Sequence, residues 1–297
     1  MQVRKLLALA VIAAVVVVPS AQASKGDGHG WKIVASGLDN PRGLDIAKNG
    51  DIWIAESGKG GTGPCVASPE DPESPPVCFG LSGAFTVVHK GYQKRVVTGL
   101  PSIATQGTGD DAEGPVDIVA NGKRITGLIG GGHTPDARAM AGPAGALFGW
   151  AVKINPWKGS VWPFADISQY EADANPDGGE VDSNGNGLAV RHGGYVVADA
   201  GGNSVLGVSH KKAISTLAVL PDTLVDAPPF LGLPAGTQIP MQAVPTTVAV
   251  RPKDPNVYVG QLTGFPFPPG GANVWAVAPD GTKTVYASGF TNIIDIA

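Results

Sequence analysis

The chain has 297 residues, with 43 glycines, 26 prolines, 15% charged residues and a formal net charge of −4. So many turn-forming residues exclude a coiled coil or a helical bundle, and a hydrophobic content of 43% excludes disorder. The mildly acidic charge argues against nucleic acid and anionic membrane surfaces as partners. The composition predicts an all-β protein of short strands joined by Gly, Pro, Asn and Asp turns.

The N-terminal segment has the layout of a secretory signal peptide. Two basic residues precede an apolar run from Leu6 to Val18, and a triplet of the A-x-A type ends at Ala23. The run is shorter than the ~20 residues that span a bilayer, which makes a retained membrane anchor the less favoured alternative. We predict a signal peptide at 1–23, cleavage between Ala23 and Ser24, and a single domain at 24–297. The protein is then secreted or associated with the cell envelope, and no later stretch is apolar enough to span a membrane.

The two cysteines lie 13 residues apart, at Cys65 and Cys78, in a proline-rich segment. In an oxidising compartment they are expected to pair, the alternative being two free thiols. Closing a loop of this length stabilises a fold by roughly 3 kcal/mol on the chain-entropy model. The pair therefore predicts a structural disulfide.

A phrase of four short strands recurs along the chain. Each copy turns between its first two strands at a pair such as Asn49-Gly50 or Asn121-Gly122. Four short strands joined by turns form one β-propeller blade, and a β-sandwich would not repeat such a phrase. The matching positions in successive first strands are Gly43, Asp117, Gly187, Thr247 and Asp295.

The end of the chain falls within the first strand of a fifth copy. We therefore expect a propeller that is C-terminally incomplete, with about four and a half blades present. Residues 31–34 are placed to complete the last blade as its outer strand. The alternative is a four-bladed ring that closes on itself.

Several phrases resemble a known group of propellers. Asn40–Leu44 and Val197–Asn203 are similar to six-bladed NHL-like propellers, and more specific phrases lie at 170–172, 175–178, 181–184, 241–246, 262–268 and 289–295. Together these resemble the ScyD/ScyE family of secreted bacterial proteins, over about residues 31 to 297. The resemblance implies a six-bladed fold and no family-wide catalytic activity. Two positions depart from the expected pattern: Gln261 replaces an acidic residue and Val116 replaces a polar one.

One loop carries a partial calcium-binding pattern. Residues 182–187 match the front half of a calcium loop, D-x-N-x-N-G, but the twelfth position is Gly193 instead of glutamate, which excludes an EF-hand. The remaining hypothesis is a looser oxygen-ligand site for a divalent metal such as calcium, formed by Asp177, Glu180 and Asp182. The alternative is a loop of Asx-turns that holds no metal.

The strongest candidates for function come from propeller geometry. Innermost strands converge on a central channel, and polar residues at their ends line one mouth. The residues in such places are Glu56, Asp117, Asn184, Asp199 and Gln261. They are expected to bind a ligand there, unless residues such as Glu56 and Asp199 serve only as hydrogen-bond partners that hold each blade together.

The function that these patterns favour is a secreted structural or ligand-binding propeller without established catalysis. The partner would be a small polar ligand or a cell-envelope protein. The alternative is a metal-dependent lactonase or lyase, for which Glu113-Gly114-Pro115 is similar to part of a propeller ester-hydrolase signature. Among the histidines, His133 is the one we would test.

Overall fold

A computed structural model describes residues 31–67, 74–131 and 134–297. The predicted cleavage site at Ala23 and Ser24, and also His133, lie outside the described residues. The chain divides into two units, residues 1–34 and 35–297. In the first unit residues 31–34 form no strand, so the expected outer strand is absent.

The second unit contains four antiparallel sheets of four or five strands that follow one another along the chain, and a two-stranded hairpin lies between the last two. We call these sheets blades 1 to 4, and in each the strands are hydrogen-bonded in chain order from the innermost outwards. Blade 1 also carries a two-residue strand, Cys65–Val66, on the edge of the strand Val77–His89. The expected all-β fold with four-stranded sheets is confirmed, while the number of blades in a complete ring stays a prediction.

The strands and helices have the following bounds. Blade 1 contains β1 (Pro41–Ile46), β2 (Ile52–Glu56), β3 (Cys65–Val66), β4 (Val77–His89) and β5 (Tyr92–Thr105); blade 2 contains β6 (Pro115–Asn121), β7 (Arg124–Ile129), β8 (Trp150–Asn155) and β9 (Ser160–Asp166). A short helix α1 (Pro135–Ala139) and a 3-10 turn (Gly142–Gly145) lie between β7 and β8, and α2 (Ile167–Ala174) follows β9. Blade 3 contains β10 (Gly185–Arg191), β11 (Gly194–Asp199), β12 (Ser204–Ser209) and β13 (Ile214–Val219). A hairpin of β14 (Thr223–Asp226) and β15 (Gln238–Met241), with a 3-10 turn (Pro229–Leu231), leads to blade 4, which contains β16 (Pro245–Val250), β17 (Val257–Gln261), β18 (Ala272–Val277) and β19 (Lys283–Phe290).

Each innermost strand has an irregular register close to its beginning. The shift lies between Pro41 and Leu44 in β1, and the corresponding shifts follow the first residue of β6, β10 and β16. A bulge bends a strand and redirects its side chains. The same irregularity in every blade therefore turns the same few residues towards the axis of the fold.

Apolar side chains fill the space between successive blades. One of these contacts requires glycine. The ring of the fully buried Phe85 from blade 1 lies so close to Gly127 in blade 2 that a Cβ at this position would overlap it. Burying one large apolar side chain contributes roughly 1.5–3 kcal/mol, so these clusters supply the main cohesion between sheets. The three interfaces contain Phe85, Ile118 and Val152 between blades 1 and 2, Leu128, Val197 and Leu206 between blades 2 and 3, and Val196, Val205 and Val259 between blades 3 and 4.

The predicted disulfide is present. Cys65 and Cys78 form a bond of 2.02 Å that joins β3 to β4. Disulfides of this kind are typical of proteins that work in oxidising, extracellular surroundings. Within the part of the chain that the structure describes, no helix is long and apolar enough to cross a membrane.

Residues 291–297 form no strand, in contrast to the expectation of a fifth innermost strand. They nevertheless lie against blade 4, since the Ile293 amide donates to the carbonyl of Gln261 and the Thr246 hydroxyl donates to the carbonyl of Ile293. A strand is defined by the ladder it makes with a second strand, and this segment has side-chain and single backbone contacts instead.

Candidate binding site in the central channel

The innermost strands of the four blades lie side by side, β1 next to β6, β6 next to β10, and β10 next to β16. Carboxylates link them across the blade boundaries. Asp45 accepts a hydrogen bond of 2.6 Å from the amide of Ala120, and Asp117 accepts one of 2.6 Å from the amide of Leu188. These charge-assisted contacts set the spacing of neighbouring blades at the axis.

The strands enclose a channel with a cavity of about 460 Å³. Its wall contains the five matching positions of the repeat together with the residue that precedes each of them. The pairs are Arg42–Gly43, Val116–Asp117, Asn186–Gly187, Thr246–Thr247 and Ile294–Asp295. The repeated positions of the sequence thus line one cavity of the fold.

Two of these positions require glycine because another blade comes very close. A Cβ on Gly43 would overlap Oδ1 of Asp117, and one on Gly187 would lie 2.6 Å from the Cα of Thr247. Larger residues in these places would push the innermost strands apart. The channel width therefore depends on Gly43 and Gly187.

Asp117 is the most perturbed acid of the channel. Burial raises its pKa to about 7, and the carboxylates of Asp295 and Asp45 add to the rise. Hydrogen bonds from the amides of Leu188 and Ile118 oppose it. Near neutral pH this carboxyl group therefore exists in both protonation states, and it can donate or accept a hydrogen bond.

A smaller cavity of about 220 Å³, which we call the mouth, adjoins the channel. Arg42, Val116 and Asn186 line both cavities. Arg42 also donates a hydrogen bond of 2.9 Å to the carbonyl of Ala112. The other polar side chains of the mouth are Ser57, Asp111, Glu113 and Asn184.

Two of the five predicted site residues lie on these cavities. Asp117 lines the channel, and Asn184 lines the mouth, where its side-chain oxygen accepts a hydrogen bond of 3.1 Å from the amide of Gly131. Glu56, Asp199 and Gln261 line neither cavity and are almost completely buried. The structure thus brings together only part of the predicted set.

The three buried residues share one structural position. Each is the last residue of the second strand of its blade and pairs with the first residue of the innermost strand. Glu56 accepts a hydrogen bond from the amide of Asp39, Asp199 accepts one from the amide of Asn184, and Gln261 accepts one from the indole of Trp275. These contacts are those of the alternative role, in which the residues hold each blade together.

The predicted calcium ligands do not converge. Asp177 accepts hydrogen bonds from the amide of Gly179 and the side chain of Asn203, while Glu180 and Asp182 are exposed. Among the described residues no group of three or more His, Cys, Asp or Glu side chains is placed to hold a metal ion. The calcium site formed by Asp177, Glu180 and Asp182 stays a prediction without a cluster to support it.

A fourth acid of the same region was not anticipated. Glu171 in α2 is fully buried, and neither of its carboxylate oxygens has a hydrogen-bond partner among the described residues. Burial raises its pKa to about 7, and the negative charges of Asp199, Asp177 and Asp182 raise it further. A carboxyl group in this state is largely protonated below neutral pH.

Reasoning from the sequence missed Arg42, Asn186, Thr246 and Asp295 as channel residues. The signal was present, because each of them lies at a matching position of the repeat or directly before one. Asn186 belongs both to the third copy of the repeat and to the calcium-loop pattern, and Arg42 belongs to the first copy of the repeat. Neither pattern by itself indicates a residue of the channel wall.

Fold and site together define an all-β protein with propeller-like sheets and an axial channel whose wall contains both polar and apolar side chains. No family model matches the chain, and no curated protein matches it either. Solved structures that resemble it include a structural-genomics protein of unknown function from Bacteroides thetaiotaomicron, with 9% identity, a TM-score of 0.46 and coverage of 84% of this chain and 43% of that one. Another is a protein described as a gluconolactonase, with 12% identity, a TM-score of 0.40 and coverage of 89% and 83%. The chain spans less than half the length of the Bacteroides protein, and likenesses at this level say nothing about what the chain binds.

Proposed function

We propose that this chain is a secreted ligand-binding propeller, similar to the six-bladed ScyD/ScyE type, and that its channel mouth binds a small polar ligand. The observation that supports the proposal is that the matching positions of all blades line one channel, which adjoins a polar mouth. The interior of small barrels is filled by side chains, whereas this channel leaves a cavity of about 460 Å³. The side chains of Arg42, Asp117 and Asn186 in its wall offer hydrogen-bonding groups to a ligand.

The mouth offers groups of several kinds. Arg42 presents a guanidinium donor, Glu113 a carboxylate, and Asn184 and Asn186 amides that both donate and accept. Asp117 deeper in the channel changes between donor and acceptor near neutral pH. Such a mixture suits a small ligand with several hydroxyl or amide groups, such as a sugar or a short peptide.

The test is a binding screen on the mature chain from residue 24 onwards. Isothermal titration calorimetry with neutral sugars, sugar acids and dipeptides would identify a ligand, and Asn186→Ala would then be compared with the unchanged chain. Asn186 lines both cavities, so losing its amide should weaken binding by about tenfold, the equivalent of one or two hydrogen bonds.

Asn121→Ala is the matched control, because Asn121 is exposed at the far end of β6 and lines neither cavity. Its Kd should equal that of the unchanged chain. If no compound of the screen binds, or if Asn186→Ala and Asn121→Ala bind the ligand equally well, the channel-mouth proposal fails.

A metal-dependent lactonase is the second candidate, because Asp111, Glu113, Asn184 and Asn186 line one cavity. Carboxylate and amide oxygens are the ligands that calcium takes, and a bound divalent ion would polarise a lactone carbonyl. The fit is poor, since the guanidinium of Arg42 lines the same cavity and the amide oxygen of Asn184 already accepts from Gly131. We therefore rank ligand binding first.

Metal analysis separates the two candidates. Inductively coupled plasma mass spectrometry of the purified mature chain should find no stoichiometric metal, and the chain should stay folded after treatment with a chelator. Stoichiometric calcium, zinc or manganese that is lost in Glu113→Gln would favour the hydrolase and justify a screen of lactone substrates.

A further inference from the structure

A second cavity of about 410 Å³ lies at the opposite end of the strands from the channel mouth. The two cavities lie at opposite ends of strand β6. The strand begins at Pro115, two residues after the mouth residue Glu113, and ends at Asn121, two residues before Lys123 of this cavity. The cavity is formed by residues of blades 2 and 3. Its polar and aromatic lining includes Lys123, Arg124, Lys153, Trp162, Phe164 and Tyr195.

Lys153 is the centre of this lining. Its Nζ donates hydrogen bonds of 2.7 Å to the Tyr195 hydroxyl and 2.9 Å to the Thr126 hydroxyl. The same atom lies 3.8 Å from the ring centre of Phe164 and 3.9 Å from that of Tyr195, which are cation–π distances. The ammonium group is thus held in one place, and two of its three N–H groups are used by neutral hydroxyl groups.

The positive charge of this cavity has no acidic counterpart. No Asp or Glu lines the cavity, and within the described part of the chain neither Lys153, Lys123 nor Arg124 forms an ion pair with a carboxylate. Burial lowers the pKa of Lys153, and the positive charge of Arg124 adds to the effect, while the hydrogen bond to Tyr195 opposes it. In a chain whose net charge is −4, this is a local concentration of unpaired positive charge that an anion would relieve.

The apolar part of the cavity indicates the shape of that anion. Phe164 and Tyr195 form a wall with their rings at an edge-to-face distance of 5.7 Å. Trp162 stands at the rim with 48% of its surface exposed, although an indole of this size is usually more deeply buried. Aromatic side chains in such positions provide flat contact area for a ligand.

We propose that this cavity binds a small organic anion with a flat aromatic body, of the aryl carboxylate class. The carboxylate would lie near Lys153 and Arg124, and the ring would lie against the half-exposed indole of Trp162. The volume is within the range of pockets that hold small molecules. This site is separate from the channel, and the two proposals stand or fall independently.

The test uses benzoate as the probe on the mature chain, with benzamide as its neutral isostere and inorganic phosphate as an anion without a ring. Titration calorimetry at low ionic strength should give benzoate a Kd at least tenfold lower than that of either comparison compound. Benzamide equal to benzoate would show that charge is irrelevant, and phosphate equal to benzoate would show that the ring is irrelevant. Either result, or no benzoate binding at all, overturns the proposal.

Substitutions in the cavity lining test where benzoate binds. Lys153→Met should weaken benzoate binding at least tenfold, but Lys153 also holds Tyr195 and Thr126, so Arg124→Gln provides a second variant at an exposed turn. A loss of about threefold or more is expected for Arg124→Gln. Lys158→Gln is the matched control, because Lys158 is an exposed lysine on the same face that does not line the cavity.

The same variants define the results that would overturn the proposal. Equal effects of Arg124→Gln and Lys158→Gln would mean that benzoate responds only to overall charge, and this would overturn the proposal. Asn186→Ala in the channel should bind benzoate like the unchanged chain. A loss of benzoate binding in that variant would place the probe in the channel and equally overturn the proposal.

Discussion

Blades 1 and 3 place a buried carboxylate at the same position but surround it differently. Glu56 ends β2 and Asp199 ends β11, and both are fully buried. Arg95 donates hydrogen bonds of 2.6 and 3.1 Å to Glu56, whereas Asp199 is held by the Ser183 hydroxyl at 2.8 Å and by backbone amides. The first carboxylate has a cation as partner, and the second has only neutral donors.

The difference in partners reverses the shift of the pKa. Burial raises the pKa of Glu56, but hydrogen bonds from Arg95, Thr86 and the Asp39 amide outweigh burial, so its pKa lies below the ordinary value. Burial raises the pKa of Asp199 to about 6, and its neutral donors compensate only in part. A given position in the blade can thus hold a permanent charge or a group that titrates, depending on whether a guanidinium reaches it.

The largest expected effect follows from removing that guanidinium. Arg95→Met leaves the Glu56 carboxylate buried without a cation, and breaking a buried ion pair in this way costs about 3–5 kcal/mol of unfolding free energy. Arg95 is itself about one-third exposed, so the lower end of this range is expected. Urea unfolding at pH 7 measures the loss.

The pH dependence of the Arg95→Met effect provides the control. In the variant the pKa of Glu56 should rise above that of an unfolded glutamate, so the loss of stability should be smaller at pH 4.5 than at pH 7. The double variant Arg95→Met with Glu56→Gln should recover part of the loss at pH 7. A loss that is the same at both pH values would mean that Arg95 acts through packing instead of charge.

The next effect concerns Glu171, whose charged neighbours Asp199, Asp177 and Asp182 are all acidic. The ordinary pKa of this side chain is 4.5 and its folded value is about 7, so the folded state binds more protons than the unfolded state between these values. Stability should therefore fall as the pH rises from about 4.5 to about 7 and stay low above that. Glu171→Gln should raise the unfolding free energy at pH 8 by up to about 3 kcal/mol and change little at pH 4.5.

Thermal unfolding between pH 4.5 and pH 8 tests this prediction, with Glu180→Gln as the matched control. Glu180 is an exposed carboxylate on the loop after α2, and its substitution should leave the pH profile unchanged. If Glu171→Gln changes the unfolding free energy by the same amount at pH 4.5 and pH 8, the proton-based prediction is wrong.

Local patterns in the sequence predict much of the fold. Turn pairs such as Asn49-Gly50 and Asn121-Gly122 are separated by strand-length segments, and the repeat follows from comparing these segments with one another. The disulfide between Cys65 and Cys78 also follows from the sequence, because the signal-peptide pattern predicts an oxidising compartment and the chain has only these two cysteines. Such features depend on residues that are near in sequence, and they can be read without knowing how blades pack.

The chemical state of the acidic residues could not be predicted in the same way. Glu56 meets Arg95 across 39 positions of sequence, and nothing near Asp199 in the chain shows that a comparable cation is absent. Asp177 and Asp182 are close in sequence, but turn hydrogen bonds direct Asp177 to Gly179 and away from a common metal. The protonation state of each acid, and whether it can hold a metal, depends on which residues the fold places beside it.

The smallest expected effect concerns Asp39, which forms ion pairs close to the protein surface beside blade 1. Asp39 contacts Lys59 at 2.9 Å and Arg95 at 3.0 Å, but the Lys59 side chain is 59% exposed. Exposed ion pairs contribute 1 kcal/mol or less, and salt screens them, so Asp39→Asn should cost less than about 1 kcal/mol at low salt and less still at 0.5 M NaCl. Urea unfolding at the two salt concentrations measures this, and Lys59→Gln should give a comparable value.

The loss caused by Asp39→Asn in an Arg95→Met background should be no larger than in the unchanged chain, since one of the two ion pairs of Asp39 is already gone. A cost above 2 kcal/mol that disappears in the Arg95→Met background would mean that Asp39 positions Arg95 for Glu56, and the buried ion pair of blade 1 would then depend on a surface residue.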